Sequence, residues 1–131
     1  MTVQVNAAAT MEQGIKNLID ACIVDYIKWE TQSIQYSIDH HGRDGDWLKV
    51  SDDMIAKYCG SFVTKEGKKY IKVIRGHSVH AFIVNTEDDA KFAFGDVLKP
   101  ASWSRPARNA ARGNVFGNYP INWTGPLYLD N

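Results

Sequence analysis

At 131 residues, with 44% hydrophobic and 23% charged residues, the chain is long enough to bury a core as one domain without disulfide or metal staples. Its apolar runs are only a few residues long, which excludes a membrane-spanning helix, and "MTVQVNAAATMEQ" lacks the basic and apolar regions of a signal peptide. The net charge is zero but unevenly laid: residues 1–60 carry nine acids against five bases, residues 61–131 carry ten bases against six acids, and 97–129 hold no acid at all. Such asymmetry points either to an anionic partner for the second half or to one half packing on the other.

The chain reads as a single α+β domain over 1–131, helical over 1–60 and β-rich over 61–131. The first ten residues, with "NAAAT", read as a frayed arm. Thr10 with Gln13 forms a capping-box signature. Ile15, Leu18, Ile19, Cys22, Ile23, Tyr26, Ile27 and Ile34 then recur at three- and four-residue steps, predicting a long amphipathic helix over about 11–38. That stripe is wide enough for one row to pack on a sheet and a second, through Ile23, Ile27 and Ile34, on another subunit, so a homo-oligomer through this helix is expected. After the turn "HHGRDGD", Ser51 with Asp52 and Asp53 predicts the start of a short helix that Gly60 stops.

The period then changes. "KKYIKVIR" and "SVHAFIVN" read as strands of a hairpin turning at Gly76–His77, and "KFAFGDVLK" as a third strand broken at Gly95–Asp96. "NVF" and "YPINWTGPLYL" close the set, with prolines confining parts of them to edges. Short antiparallel strands with a Gly-Asp break imply a small, strongly bent sheet or an SH3-like barrel with the helices beside it.

The segment "SRPARNAARGN" carries the clearest functional signal. Ser104 can cap, Pro106 suits a first turn and Gly113 a C-terminus, which predicts a short helix over 105–112. On it, Arg105, Arg108 and Arg112 would fall within about 60° of one another. Three guanidiniums without local acids need anions, and their planar forks suit phosphate. Lys99 and Asn109 add polar groups, and Trp103, Tyr119 and Trp123 offer rings for a base to stack on. The competing reading pairs these arginines with the acidic helix, or sets Arg112 against a helix C-terminus.

Other groups carry weaker signals. Cys22 and Cys59 lack CxxC or zinc spacing and read as two buried, reduced thiols. His77 and His80, three apart on a strand, fall on opposite faces, a poor geometry for a shared metal. His40 and His41 beside Asp39, Asp44 and Asp46 read as a solvated turn, with a metal loop as the alternative. No nucleophile elbow, phosphate loop or zinc-protease motif occurs. No cofactor is expected, and catalysis less than binding.

The patterns Lys69–Tyr70–Ile71–Lys72–Val73, Ser78–Val79, Gly95–Asp96–Val97–Leu98–Lys99, Ala101–Ser102–Trp103, Pro106–Ala107–Arg108–Asn109, Ala111–Arg112–Gly113–Asn114 and Trp123–Thr124–Gly125, all within 69–125, resemble a family of small bacteriophage proteins. The Arg108–Arg112 step is similar, more faintly, to the phage anti-Thoeris sponges, which hold a cyclic ADP-ribose signal with paired arginines. Together these resemblances imply a protein of the infected host's cytoplasm. It would bind a phosphate-bearing nucleotide or similar anion without turning it over, and sequester a host defence signal. The alternatives are a single-stranded nucleic-acid or host-protein binder, and a small nuclease built on His77, His80 and Asp96.

Overall fold

A computed structural model describes residues 2–41 and 45–128. In chain order the elements are β1 (Val3–Val5), α1 (Met11–His41), α2 (Gly45–Cys59), β2 (Phe62–Glu66), β3 (Tyr70–Arg75), β4 (Ser78–Val84), β5 (Asp96–Leu98), β6 (Gly113–Asn114), β7 (Tyr119–Asn122) and β8 (Gly125–Pro126). The class is α+β, with both helices packed on antiparallel sheets. The strands make two sheets rather than one, in the orders β2-β3-β4-β5-β6 and β1-β7-β8.

The long helix starts where its cap predicts. Thr10 Oγ1 accepts the Gln13 N–H at 3.1 Å, satisfying one of the donors that a helix N-terminus leaves free. The second half of the capping box is not made, because the Gln13 amide donates forward to Asn17 instead. Leu18, Ala21, Cys22, Asp25 and Tyr26 form its buried face, at the spacing of a single helical stripe. Of the second apolar row, Ile23 packs against the same core, Ile34 is buried and Ile27 is exposed. The short helix begins six residues before Ser51, which lies inside it.

Gly14 was not singled out by the pattern, yet it decides how closely α1 approaches the sheets. A Cβ there would lie 2.5 Å from the Cβ of Val115, itself fully buried. Gly14→Ala should therefore lower stability by about 1–3 kcal/mol, the usual cost of overpacking a core, although alanine is the better helix former. Thermal denaturation checks this, and a stabilised variant would mean that the contact is not made.

The first residues are not a frayed arm. Val3, Gln4 and Val5 pair with Ile121, Pro120 and Tyr119, and Val5 is buried. The β3–β4 hairpin turns at Gly76, whose φ is +61°, as expected. The predicted third strand is shorter: only Asp96–Leu98 is extended, after Gly95 at a φ of +89°.

Alternation divides the five-stranded sheet. Ile71, Val73, Ala81, Ile83 and Val97 face α1 and complete the main core with Val115, Tyr119 and Ile121. On the other face Phe82, Val84 and Leu98 join Phe92 in a second cluster, with Tyr70, Val79 and Ala111 packed against it.

That outer cluster explains why residues 105–112 are not the predicted helix. The segment is a strap across the outer face. Its Arg105 carbonyl accepts the Ala101 N–H at 2.9 Å, closing the first bend, and its Ala107 and Arg112 N–H groups bond across to the Lys99 and Val97 carbonyls, at 2.7 and 2.8 Å. A two-turn helix would close its hydrogen bonds on itself and leave those carbonyls open. So short a helix has little intrinsic stability to set against this. The alanines serve as thin cover, as the sequence implied, but through Ala111 lying on the apolar cluster.

Candidate ligand-binding cleft

In the strap, the guanidiniums of Arg108 and Arg112 have protein partners. Arg108 donates to both oxygens of Asp89, at 3.0 and 2.8 Å, and to the Tyr70 hydroxyl, and lies 4.8 Å from the Phe92 ring centre. Asp89, nineteen residues earlier in sequence, also accepts the Lys91 and Phe92 N–H groups. The Arg108 bond, then those two, hold its carboxyl well below the usual carboxylate range. Arg112 donates to the Leu127 and Ala110 carbonyls and to Asn109 Oδ1. Lys99 donates to the Pro126 carbonyl at 2.7 Å and sits 4.0 Å from the Tyr128 ring centre. Burial, then the neighbouring Arg112 charge, lowers its pKa.

Arg112 and Asn109 are thus in contact, and Arg112 with Lys99 holds the 126–127 backbone. Arg105 is exposed at the strap's first bend, and Trp103 is exposed with the Lys72 ammonium over its ring. The three arginines make no common stripe, because the helix that would align them is absent. Asp89→Ala, which removes four hydrogen bonds at once, should lower the melting temperature clearly, and Arg108→Lys less. If both variants melt like the parent chain, the clamp is idle.

Trp123 lies elsewhere, at the centre of an aromatic-walled cleft of about 390 Å³ lined by α1, α2 and the start of the hairpin turn. Tyr26 and Tyr58 are stacked, ring centres 4.1 Å apart and planes 3° from parallel. Trp123 meets both edge-on, and Trp29 tilts against Trp123 at 5.2 Å. Arg75 extends the stack, its guanidinium carbon 4.9 Å from the Tyr58 ring centre. Lys57, Met54 and Ser61 complete the lining. The Arg75 guanidinium has no hydrogen bond or ion pair among the described residues, and its Nε is buried without a partner.

Three elements converge on the Trp123 backbone to fix this wall. Asp25 Oδ2 accepts its N–H at 2.8 Å, and its carbonyl accepts from the Tyr58 hydroxyl at 2.6 Å and from His80 Nε2 at 2.7 Å. His80 can point inward because it is the extra residue of a bulge: Val73 pairs with Ala81 and Ile74 with Val79, leaving His80 between. Burial pushes its pKa down to about 4, so at neutral pH the ring is uncharged and donates through Nε2. Asp25 is fully buried, with Oδ1 unpartnered. Burial, then Asp25, pushes the Cys22 thiol up to about 12, making it a packed, unreactive group; its weak bond goes to the Asn122 carbonyl.

Cys59, read from sequence as buried, is exposed, and both thiols are free. The remaining catalytic alternative is dispersed: His77 is exposed, His80 is committed to Trp123, and the Asp96 oxygens accept from Ala93 and Asn114. Among the described residues no cluster of His, Cys, Asp and Glu could hold a metal. The His40–His41 side chains, with the metal loop expected there as an alternative, lie outside the described residues. No described helix is long and apolar enough to cross a membrane.

Sequence reasoning missed Arg75, Trp29, Tyr26 and Tyr58 as a set. One signal was present: Ile71, Val73 and Arg75 share the parity of the buried face, so an arginine at that position on the strand enters the interior side. No curated protein and no solved structure matches the chain. A family model does, over residues 3–126, so every helix and strand among the described residues falls within the match. The chain therefore belongs to DUF7717, a family of unknown function.

Proposed function

We infer that this chain is a non-catalytic binding protein whose cleft takes a flat, anionic small molecule of the nucleotide class. The observation that carries this reading is Arg75: a guanidinium with no polar partner among the described residues and its Nε buried, stacked on Tyr58 in a cleft walled by Trp29 and Trp123. Leaving such a donor unmatched is costly, and an entering phosphate or carboxylate would match it in bidentate fashion. The rings supply stacking faces for a planar group, and Lys57 adds a second positive charge at the rim. Arg75 is preferred over Arg108 and Arg112 because those two already donate to protein acceptors. In a phage, the setting that the resemblance to small bacteriophage proteins implies, the ligand would be a host signalling nucleotide and the protein its sponge.

Calorimetry against a panel of mono- and cyclic nucleotides tests the reading, with the ligand recovered unchanged after heat release. Arg75→Ala should weaken binding by about 1.5–3 kcal/mol, or about one to two decades in affinity, while the fold is retained because no hydrogen bond among the described residues is lost. The reading fails if no nucleotide binds, or if the Arg75 variant binds as well as the parent.

A further inference from the structure

The outer face of the five-stranded sheet carries a feature that the cleft does not use. Lys65 on β2 stands directly opposite Lys72 on β3, a like-charge pairing that works against the sheet. Lys69 lies beside them along a groove of about 240 Å³ that runs to Ser104, and Arg105 follows at the strap's bend. Among the described residues the ion pairs are Lys16–Asp20 and Arg108–Asp89, so none of these four cations has a carboxylate. Glu66, the acid in the groove lining, pairs in register with the inward-facing Ile71 rather than with the lysine row.

Lysines on an edge strand commonly protect it from pairing with another chain, and Lys65 on β2 fits that role. Lys72 does not, since β3 lies between β2 and β4. Nor does edge protection account for Trp103, an indole left 53% exposed with the Lys72 ammonium 4.7 Å from its ring centre. A row of unpaired cations ending at an open aromatic face is what a charged backbone with accessible bases would engage. A duplex hides its bases, and a polyglutamate chain has no ring to stack.

We propose that this face is a second, separate site that binds single-stranded nucleic acid, with phosphates along Lys65, Lys69 and Lys72 and a base on Trp103. The test is fluorescence titration of the full chain with oligothymidylates of increasing length, with the matching duplex and with polyglutamate, at several salt concentrations. Single strands should bind more tightly with length and quench tryptophan emission, and their affinity should fall linearly with salt on logarithmic axes. Trp103→Ala should weaken binding about tenfold, and Lys72→Gln should lower the salt slope by about one contact. Arg75→Ala should leave oligonucleotide binding unchanged, which separates this site from the cleft. Three results overturn the proposal: no binding at low salt, equal binding of duplex or polyglutamate, or full affinity in both the Trp103 and Lys72 variants.

Discussion

Gly125→Ala should lower stability by about 4 kcal/mol, combining backbone strain with overpacking, and the melting temperature by more than about 10 °C. Two causes act together at this residue. Its φ is +119°, a region that side-chain-bearing residues rarely enter. In addition, a Cβ would lie 2.7 Å from the carbonyl oxygen of His80, a backbone atom that cannot turn aside. Gly125 opens β8 and pairs with Asn122 across a two-residue loop of Trp123 and Thr124. That loop is braced by Asn122 Oδ1, which accepts the Thr124 N–H and hydroxyl. Displacing Gly125 from β4 therefore displaces Trp123 from Asp25, Tyr58 and His80 together.

The control is Gly76→Ala. Gly76 also has positive φ, at +61°, but a Cβ there would meet nothing within 4 Å. It should cost only the left-handed penalty of about 1–2 kcal/mol. Chemical denaturation of both variants separates conformational strain from steric contact. If Gly125→Ala costs no more than Gly76→Ala, β8 does not press on β4 as described, and the wall that Trp123 gives the cleft is not held from that side. If the larger loss is seen, ligand binding in the cleft should weaken in the same variant, because the wall moves.

What the sequence disclosed follows from how local each cause is. The α1 stripe, the Thr10 cap and the Gly76 hairpin each depend on neighbours within a turn or a strand, so periodicity and turn chemistry found them. β1 escaped because three residues carry almost no pattern and its partner β7 lies more than a hundred positions away. The strap was misread for the opposite reason: its local signals for a helix are good, but they lose to an apolar sheet face needing cover and to Asp89, nineteen residues earlier. The Trp123 anchor draws on α1, α2 and β4 at once, and no single window of sequence contains it. Asp25 was partly legible, as an acid on the buried stripe between Cys22 and Tyr26.

The second large effect is a loss of stability in acid that should trace to His80. Burial, chiefly, takes its pKa from the ordinary 6.5 down to about 4. The nearby Arg75 and Lys99 charges act in the same direction, while the bond to the Trp123 carbonyl opposes them. Between these two values the unfolded chain binds the proton and the folded chain does not. The stabilisation is therefore complete above about pH 6.5 and is lost as the pH falls toward 4, by about 3 kcal/mol in all. Asp89 does not blur this window: its carboxyl is depressed below the usual range, so its contribution persists above about pH 4 and fades only below it. His80→Leu removes the titrating group and keeps the apolar volume. It should cost about 1 kcal/mol at neutral pH, since the Trp123 carbonyl still accepts from Tyr58. It should also flatten the pH dependence, so that near pH 4.5 the variant equals or exceeds the parent chain. Urea midpoints measured across that range decide it. If the His80→Leu variant loses stability in step with the parent, the acid sensitivity arises elsewhere and His80 is not the buried neutral donor that anchors Trp123.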